Sequence, residues 1–199
     1  MILEINPDHP EPRKISRAVD LLRGDGVLGY PTDTVYGIGC DIRSKKAIDR
    51  IYQIKRMKAD QPLAFICPDL GEIARYAMVD DRSYRLMRRL TPGPYCFILN
   101  ATREVPRTLQ MKRKTVGIRI PHNEVALALT RALGNPIVST TAGIDGEPCA
   151  DPAEIVEAFK GVDLVLDAGG GRLVPSTVLD LTGDDIVVVR EGAGPIDAI

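Results

Sequence analysis

The chain has no tryptophan, and aromatic residues make up only 5% of its 199 positions. Its core must therefore be mainly aliphatic, and the length is ample to bury one. Histidine is nearly missing as well: only His9 and His122 occur. A Ser-His-Asp arrangement or a histidine-based zinc site has little to build on. The four cysteines, Cys40, Cys67, Cys96 and Cys149, are widely spaced with no C-x-x-C pair. They are expected to act as small hydrophobes, not as a disulfide framework or metal cluster. No apolar run approaches the roughly 20 residues that span a bilayer. The N-terminus lacks the basic and long apolar regions of a secretory signal, so a cytoplasmic protein without membrane contact is expected.

Several catalytic signatures are also lacking. Gly169-Gly170-Gly171 is not followed by Gly-Lys-Ser/Thr, so it reads as a turn and not a P-loop. There is no G-x-S-x-G elbow and no H-E-x-x-H pair. No protein-held metal is expected, and any Mg²⁺ would arrive on substrate phosphates.

What is present is charge, unevenly placed. The net charge is −1, yet residues 43–119 carry 18 basic and 7 acidic side chains, while residues 120–199 carry 4 basic and 13 acidic. Within 82–119 ten cations, among them Arg88, Arg89, Arg113 and Lys114, face a single acid, Glu104. A solvated face paired with the acidic third is the plain reading; an anionic partner, nucleotide phosphate or RNA backbone, is the functional one. With few aromatics interleaved, recognition of structured RNA by shape and phosphate fits better than stacking on a single strand.

Residues Gly29 to Cys40 form the densest motif: a proline, two threonines, an aspartate and two glycines in a strand–turn–strand frame. Downstream lies a second polar stretch, Lys55 to Leu63. Apolar periodicity predicts helices over about 13–23, 70–77 and 81–90, one after Ser44, one from Asn123 to about 133, and a short one opened by Asp151-Pro152. Short apolar runs predict strands at 27–30, 63–67, 95–99, 115–120, 136–141, 164–166, 176–180 and 186–190. Helices and strands interleave, but several strands follow one another directly, which indicates one α/β domain with an open, twisted mixed sheet and flanking helices. Hydroxyls gather at strand ends, including Thr34, Thr115, Ser139, Thr141 and Ser176. Singly these read as turn chemistry and strand filler; together with Lys55, Arg119 and Arg190 they suggest an oxyanion-binding wall.

Pro31-Thr32-Asp33-Thr34-Val35-Tyr36-Gly37-Ile38-Gly39 resembles the P-T-(E/D)-T-V-Y-G-L-G signature of the YrdC-like superfamily, which includes the threonylcarbamoyl-AMP synthases. The resemblance continues through Pro92-Gly93-Pro94, Thr115 to Pro121, Ile137 to Ala142, Pro175 to Val178 and Val189 to Gly192. It implies a single YrdC-like domain over 1–199, a concave positive surface, and binding of nucleotide and of double-stranded RNA or tRNA. The family's synthase reaction joins ATP, L-threonine and bicarbonate into threonylcarbamoyl-AMP, for t⁶A modification of tRNA. Carried onto this chain, Lys55 and Arg119 become the catalytic candidates. Nucleotide contacts fall to Lys55, Gln61, Thr115, Thr141 and Arg190, and threonine contacts to Thr34, Arg119, Ser139 and Ser176. RNA contacts fall to Arg88, Arg89, Arg113 and Lys114. ATP with substrate-borne Mg²⁺ is the implied cofactor.

Two positions depart from the family pattern. Met57 stands where the K-x-R motif has arginine, and Gly143 where the S-x-N motif has asparagine. Both departures resemble the YciO branch. Four readings stay open: a nucleotide- and RNA-binding protein with little synthase activity, an active synthase using Arg56 or Lys58 instead, a hydrolase of threonylcarbamoyl-AMP, or a non-catalytic RNA-binding module.

Overall fold

The computed structural model describes residues 1–58, 61–106, 109 and 114–199. Strand β1 (Ile2–Glu4) leads into α1 (Pro12–Arg23), whose Ile15, Ala18, Val19 and Leu22 face inward at helical spacing. Strands β2 (Leu28–Tyr30) and β3 (Gly37–Asp41) then flank the Pro31–Tyr36 turn. Helix α2 (Lys45–Ile54) is capped by Ser44, whose hydroxyl accepts from the Ala47 N–H. After β4 (Ala64–Ile66) come α3 (Leu70–Tyr76), β5 (Ala77–Met78) and α4 (Asp81–Leu90). Strands β6 (Tyr95–Ala101) and β7 (Thr115–Arg119) precede α5 (Glu124–Leu133) and β8 (Ile137–Thr141). A small hairpin, β9 (Gly143–Ile144) with β10 (Glu147–Pro148), leads to α6 (Pro152–Ala158). The chain closes with β11 (Leu164–Asp167), β12 (Thr177–Asp180) and β13 (Val187–Arg190).

Asp69, Asp80, Asn123 and Asp151 each accept helix N–H bonds at the starts of α3, α4, α5 and α6. Such caps are worth about 0.5–2 kcal/mol each, and they place the short helices where tertiary packing alone would leave their starts free to slide.

Among the described residues eleven strands join one mixed sheet in the order β1-β11-β2-β3-β8-β4-β7-β6-β12-β13, with β5 added on β6. Parallel pairs (β1 with β11, β11 with β2, β4 with β7, β6 with β12) are mixed with antiparallel ones, as the succession of strands in the sequence implied. One face carries most of the core: Ile38, Cys40, Phe65, Phe97, Ile118 and Leu179 pack under α2, α3, α4 and α6. On the other face α1 and α5 cover Leu28, Tyr30, Ile66, Ile137, Leu164 and Leu166. Beyond them that face is open. Alternate residues of β3, β8, β4, β7, β6 and β12 point into the opening, and several of them are small.

Candidate functional site

The opening is a cleft with two compartments. The inner one, about 250 Å³, has Gly37, Ala64 and Gly117 among its floor residues, with Ser139, Thr141, Cys96, Ile98 and Val178 around them. Gly37 pairs with Thr141 and Ala64 with both Ser139 and Gly117, so the floor is one patch of regular sheet. The hollow exists because side chains are missing there. The outer compartment, about 990 Å³, is lined by Lys55, Arg56, Gln61 and the β9–β10 hairpin. The two meet at Pro62, Thr140, Thr141 and Arg190. The inner volume lies just below the roughly 300–1,000 Å³ of pockets for drug-sized ligands, while the outer lies at the top of that range. An amino-acid-sized group fits the first and a nucleotide the second.

The inner end is polar and dry. Arg119, only 6% exposed, donates from Nη2 to Asp33 Oδ1 at 2.5 Å. Its Nε and the Asp33 Oδ2 are buried without partners. The Tyr30 hydroxyl, fully buried, donates to Ser139 Oγ at 2.6 Å, and burial raises its pKa far above the usual phenol value. Cys96 in the floor is likewise held as a thiol by burial, which excludes it as a thiolate nucleophile at neutral pH. Thr32 lines the compartment, donating to the Val35 carbonyl at 2.7 Å; Thr34 lies behind it, fully buried, its hydroxyl 3.2 Å from that of Thr32.

The outer end holds the cations. The Lys55 ammonium donates to the Gly143 carbonyl and lies 4.6 Å from the centre of the Phe159 ring. Burial lowers its pKa from the ordinary 10.5. Arg190 bonds the Ser176 carbonyl through Nε at 3.1 Å and Nη2 at 2.8 Å, which orients its guanidinium at the junction. Arg56 adopts a left-handed backbone (φ 50°) just past the end of α2 and lines the compartment. Met57 also borders the compartment but packs against the apolar core and brings no charge. Lys58 is not among the lining residues.

The sequence candidates thus separate. Lys55, Gln61, Thr141, Arg119, Ser139, Ser176 and Arg190 all line one or the other compartment. Thr115 is buried at the opposite end of β7 from Arg119 and lines neither. Arg88 and Arg89 are exposed in the last turn of α4 and Lys114 is exposed just before β7, all outside the cleft. Arg113 lies outside the described residues. Residue reasoning missed Tyr30, Thr32 and Asp33. Tyr30 was the findable one, since a phenol in a buried strand needs a hydroxyl or carbonyl partner. Among the described residues no three His, Cys, Asp or Glu side chains gather as a metal site, and no helix is long and apolar enough to cross a membrane.

Gly143 has a local cause. A Cβ there would stand 2.5 Å from the Glu147 carbonyl oxygen across the β9–β10 hairpin. An asparagine at this position requires the two short strands to part.

The Sua5_yciO_yrdC family model, described as telomere recombination, matches residues 20–192. The chain belongs to this family. The Escherichia coli K12 protein YciO, described as uncharacterized, is 45% identical over 196 residues, 96% of this chain and 95% of that one. The crystal structure of E. coli YciO superposes with a TM-score of 0.95 at 43% identity, covering 100% of this chain and 98% of the other. A threonylcarbamoyl-AMP synthase of Pyrococcus abyssi is 33% identical over 190 residues, 94% of this chain but 56% of that longer protein. The crystal structure of P. abyssi Sua5 complexed with L-threonine matches with a TM-score of 0.93 at 29% identity, over 99% of this chain and 59% of that one. The family's mixed, twisted sheet with flanking helices is the fold found here.

Proposed function

We propose that the cleft binds an amino acid, L-threonine or a close analogue, in its inner compartment and an adenine nucleotide in its outer one, so that an acyl-adenylate such as threonylcarbamoyl-AMP spans both. The observation that carries this reading is the junction: a dry arginine at one end and a cationic, nucleotide-sized space at the other, joined without a partition. Arg119 receives the carboxylate, and the hydroxyls of Thr32, Ser139 and Ser176 are near enough to the floor to complete its hydrogen bonds. Lys55, Arg56 and Arg190 face the phosphates, and Mg²⁺ enters with the nucleotide as part of the substrate.

Pre-placed cations of this kind stabilise charge on phosphorus as a leaving group departs, and no covalent intermediate is needed. Forward synthesis is expected to be weak. Met57 supplies no phosphate contact, Gly143 supplies no amide, and the Lys55 ammonium must leave the Gly143 carbonyl to reach a phosphate. Purified protein with ATP, bicarbonate, L-threonine and Mg²⁺ tests this through pyrophosphate and AMP. Threonine-dependent pyrophosphate release at about 1 s⁻¹ or faster, the ordinary enzyme range, refutes weak synthesis. Consumption of supplied threonylcarbamoyl-AMP without synthesis assigns the same cleft to hydrolysis.

The reading extends to structured RNA, tRNA included, held on the exposed cations Arg88, Arg89 and Lys114, with Arg113 beside them in sequence. Supporting it are ten cations against one acid over 82–119. Reversing Arg88, Arg89, Arg113 and Lys114 to Glu should reduce the slope of log affinity against log salt by about one for every phosphate no longer neutralised. An unchanged slope removes these residues from any interface.

A further inference from the structure

The Tyr30 side chain leaves β2 and ends against β8, crossing β3 on its way. Strand β3 makes room for it with glycine at two positions on the same face. A Cβ on Gly37 would stand 2.9 Å from Tyr30 Cζ, and one on Gly39 would stand 3.1 Å from Tyr30 Cε1. Glycine inside a strand costs stability and marks a close approach, here that of a ring. Packing alone asks only for the ring, and a phenylalanine fills the channel equally well. The hydroxyl at its tip does something the ring does not. Among the described residues it bonds Ser139 Oγ, at 2.6 Å, with Tyr30 itself fully buried. If Ser139 were the donor, the phenol proton would be buried with no acceptor, so the proton of this bond comes from Tyr30. Ser139 keeps its own. Among the described residues that proton meets the Ile38 carbonyl, 3.3 Å away and beyond the about 2.5–3.0 Å of a full O–H···O bond.

Ser139 shares the cleft face with Ala64 and Gly117, and Arg119 lies two residues beyond Gly117 on β7. Arg190 lines the same compartment, so an anionic group of a ligand is favoured there. We infer that Tyr30 is a positioning residue acting through Ser139: its proton occupies the serine oxygen and leaves Ser139 as a donor to the ligand carboxylate that Arg119 receives. The inference rests on the carboxylate role proposed for that end of the cleft. A ligand oxygen within reach outcompetes the distant Ile38 carbonyl for the serine proton. Phenol, serine and carboxylate then form a chain in which each bond polarises the next. A serine hydroxyl without the phenol is free to turn and to accept instead. The amino acid and its acyl-adenylate carry the same carboxylate, so one chain serves both.

The test is calorimetric titration of the full chain with L-threonine, in wild type, Tyr30→Phe, Ser139→Ala and the double variant. Ser139→Ala should weaken binding by about tenfold or more, the worth of a hydrogen bond to a charged group. Tyr30→Phe should weaken it by about threefold, because Ser139 keeps its proton but loses its fixed orientation. The double variant should bind no more weakly than Ser139→Ala alone, since Tyr30 has nothing to act through once the serine is gone. Thermal unfolding checks that each variant is folded. Tyr30→Phe with wild-type affinity overturns the inference. So does a double variant weaker than Ser139→Ala by the full Tyr30→Phe factor, which makes Tyr30 a support of the cleft's shape and nothing more. Where Tyr30→Phe fails to fold, 3-fluorotyrosine at position 30 decides, being a stronger donor of nearly the same size. Binding tighter by about twofold supports the relay, and affinity equal to or below wild type overturns it. Ser139→Ala with wild-type affinity overturns this inference alone. Wild type that binds no L-threonine instead refutes the amino-acid reading itself, and this inference with it.

Discussion

Gly37→Ala is the sharpest stability test of how the inner floor is built. Gly37 is on β3, in register with Tyr30 of β2 on one side and Thr141 of β8 on the other. A Cβ there would lie 2.9 Å from Tyr30 Cζ, 3.0 Å from Tyr30 Oη and 3.0 Å from Ser139 Oγ. None of these can retreat freely, because Tyr30 is fully buried and its hydroxyl bonds Ser139 at 2.6 Å. Overpacking of this kind costs about 1–3 kcal/mol. Stretching the Tyr30–Ser139 bond adds up to about 1 kcal/mol. The general advantage of alanine over glycine in a strand returns about 0.5–1 kcal/mol. The terms net to a destabilisation centred on about 2 kcal/mol, or about 4–8 °C in Tm for a domain of this size. Guanidinium titration and a thermal scan measure it. The double variant with Tyr30→Phe, which removes the crowded oxygen, should be less destabilised than the two single changes added. A Gly37→Ala protein as stable as wild type, or strict additivity with Tyr30→Phe, would refute the reasoning.

Gly117→Ala, on the same floor, should behave in the opposite way. Its Cβ would meet Cys96 Sγ at 3.4 Å and Ala64 at 3.9 Å, ordinary contacts, so stability should hold within about 0.5 kcal/mol while amino-acid affinity falls. Gly143→Asn should open the β9–β10 hairpin, raising amide exchange at 143–148 without producing synthase activity; a gain of pyrophosphate release would show that the missing amide alone limits the reaction. The Glu11 carboxylate accepts from Lys14 at 2.5 Å, and its pKa is held down at about 2 against an ordinary 4.5. Its folded pKa being the lower, the stabilisation it brings is present above pH 4.5 and is lost as pH falls toward 2, so Glu11→Gln should flatten the acid limb of stability over that window. All four thiols are buried, so none should react with a thiol reagent at neutral pH until the chain unfolds; rapid labelling of the native protein would contradict that burial.

The layers were legible because their signals are local. Ser44, Asn123 and Asp151-Pro152 announce helix starts that the structure places at Lys45, Glu124 and Pro152. The apolar runs at Leu28, Phe65 and Val138 mark strands in which those residues are fully buried. Strands β1, β5 and the β9–β10 hairpin were not anticipated, since two or three residues carry no periodicity and their pairing is decided by the neighbour. The cleft was half legible. Arg119, Ser139 and Arg190 belong to strands or strand ends whose family resemblance marked them, and the structure brings them together. Which hydroxyl of Thr32 and Thr34 looks outward depends on how the Pro31–Tyr36 turn folds back, as the Thr32 bond to the Val35 carbonyl shows. No pattern in the sequence encodes that. Nor does spacing reveal that Asp33 meets Arg119, because the partners are 86 positions apart.

The inner compartment is a cast of absent side chains on a surface whose backbone is fixed by ladders on both sides. Its dimensions therefore change in discrete steps, one methyl or one branch at a time, and each step leaves the strands where they are. Ligand choice in such a hollow is open to gradual retuning at Gly117 or Ala64 and closed to it at Gly37, where the first added carbon already strikes a phenol. A lineage with this fold could alter what it holds through two of the three positions and keep the third as the fixed edge of the mould.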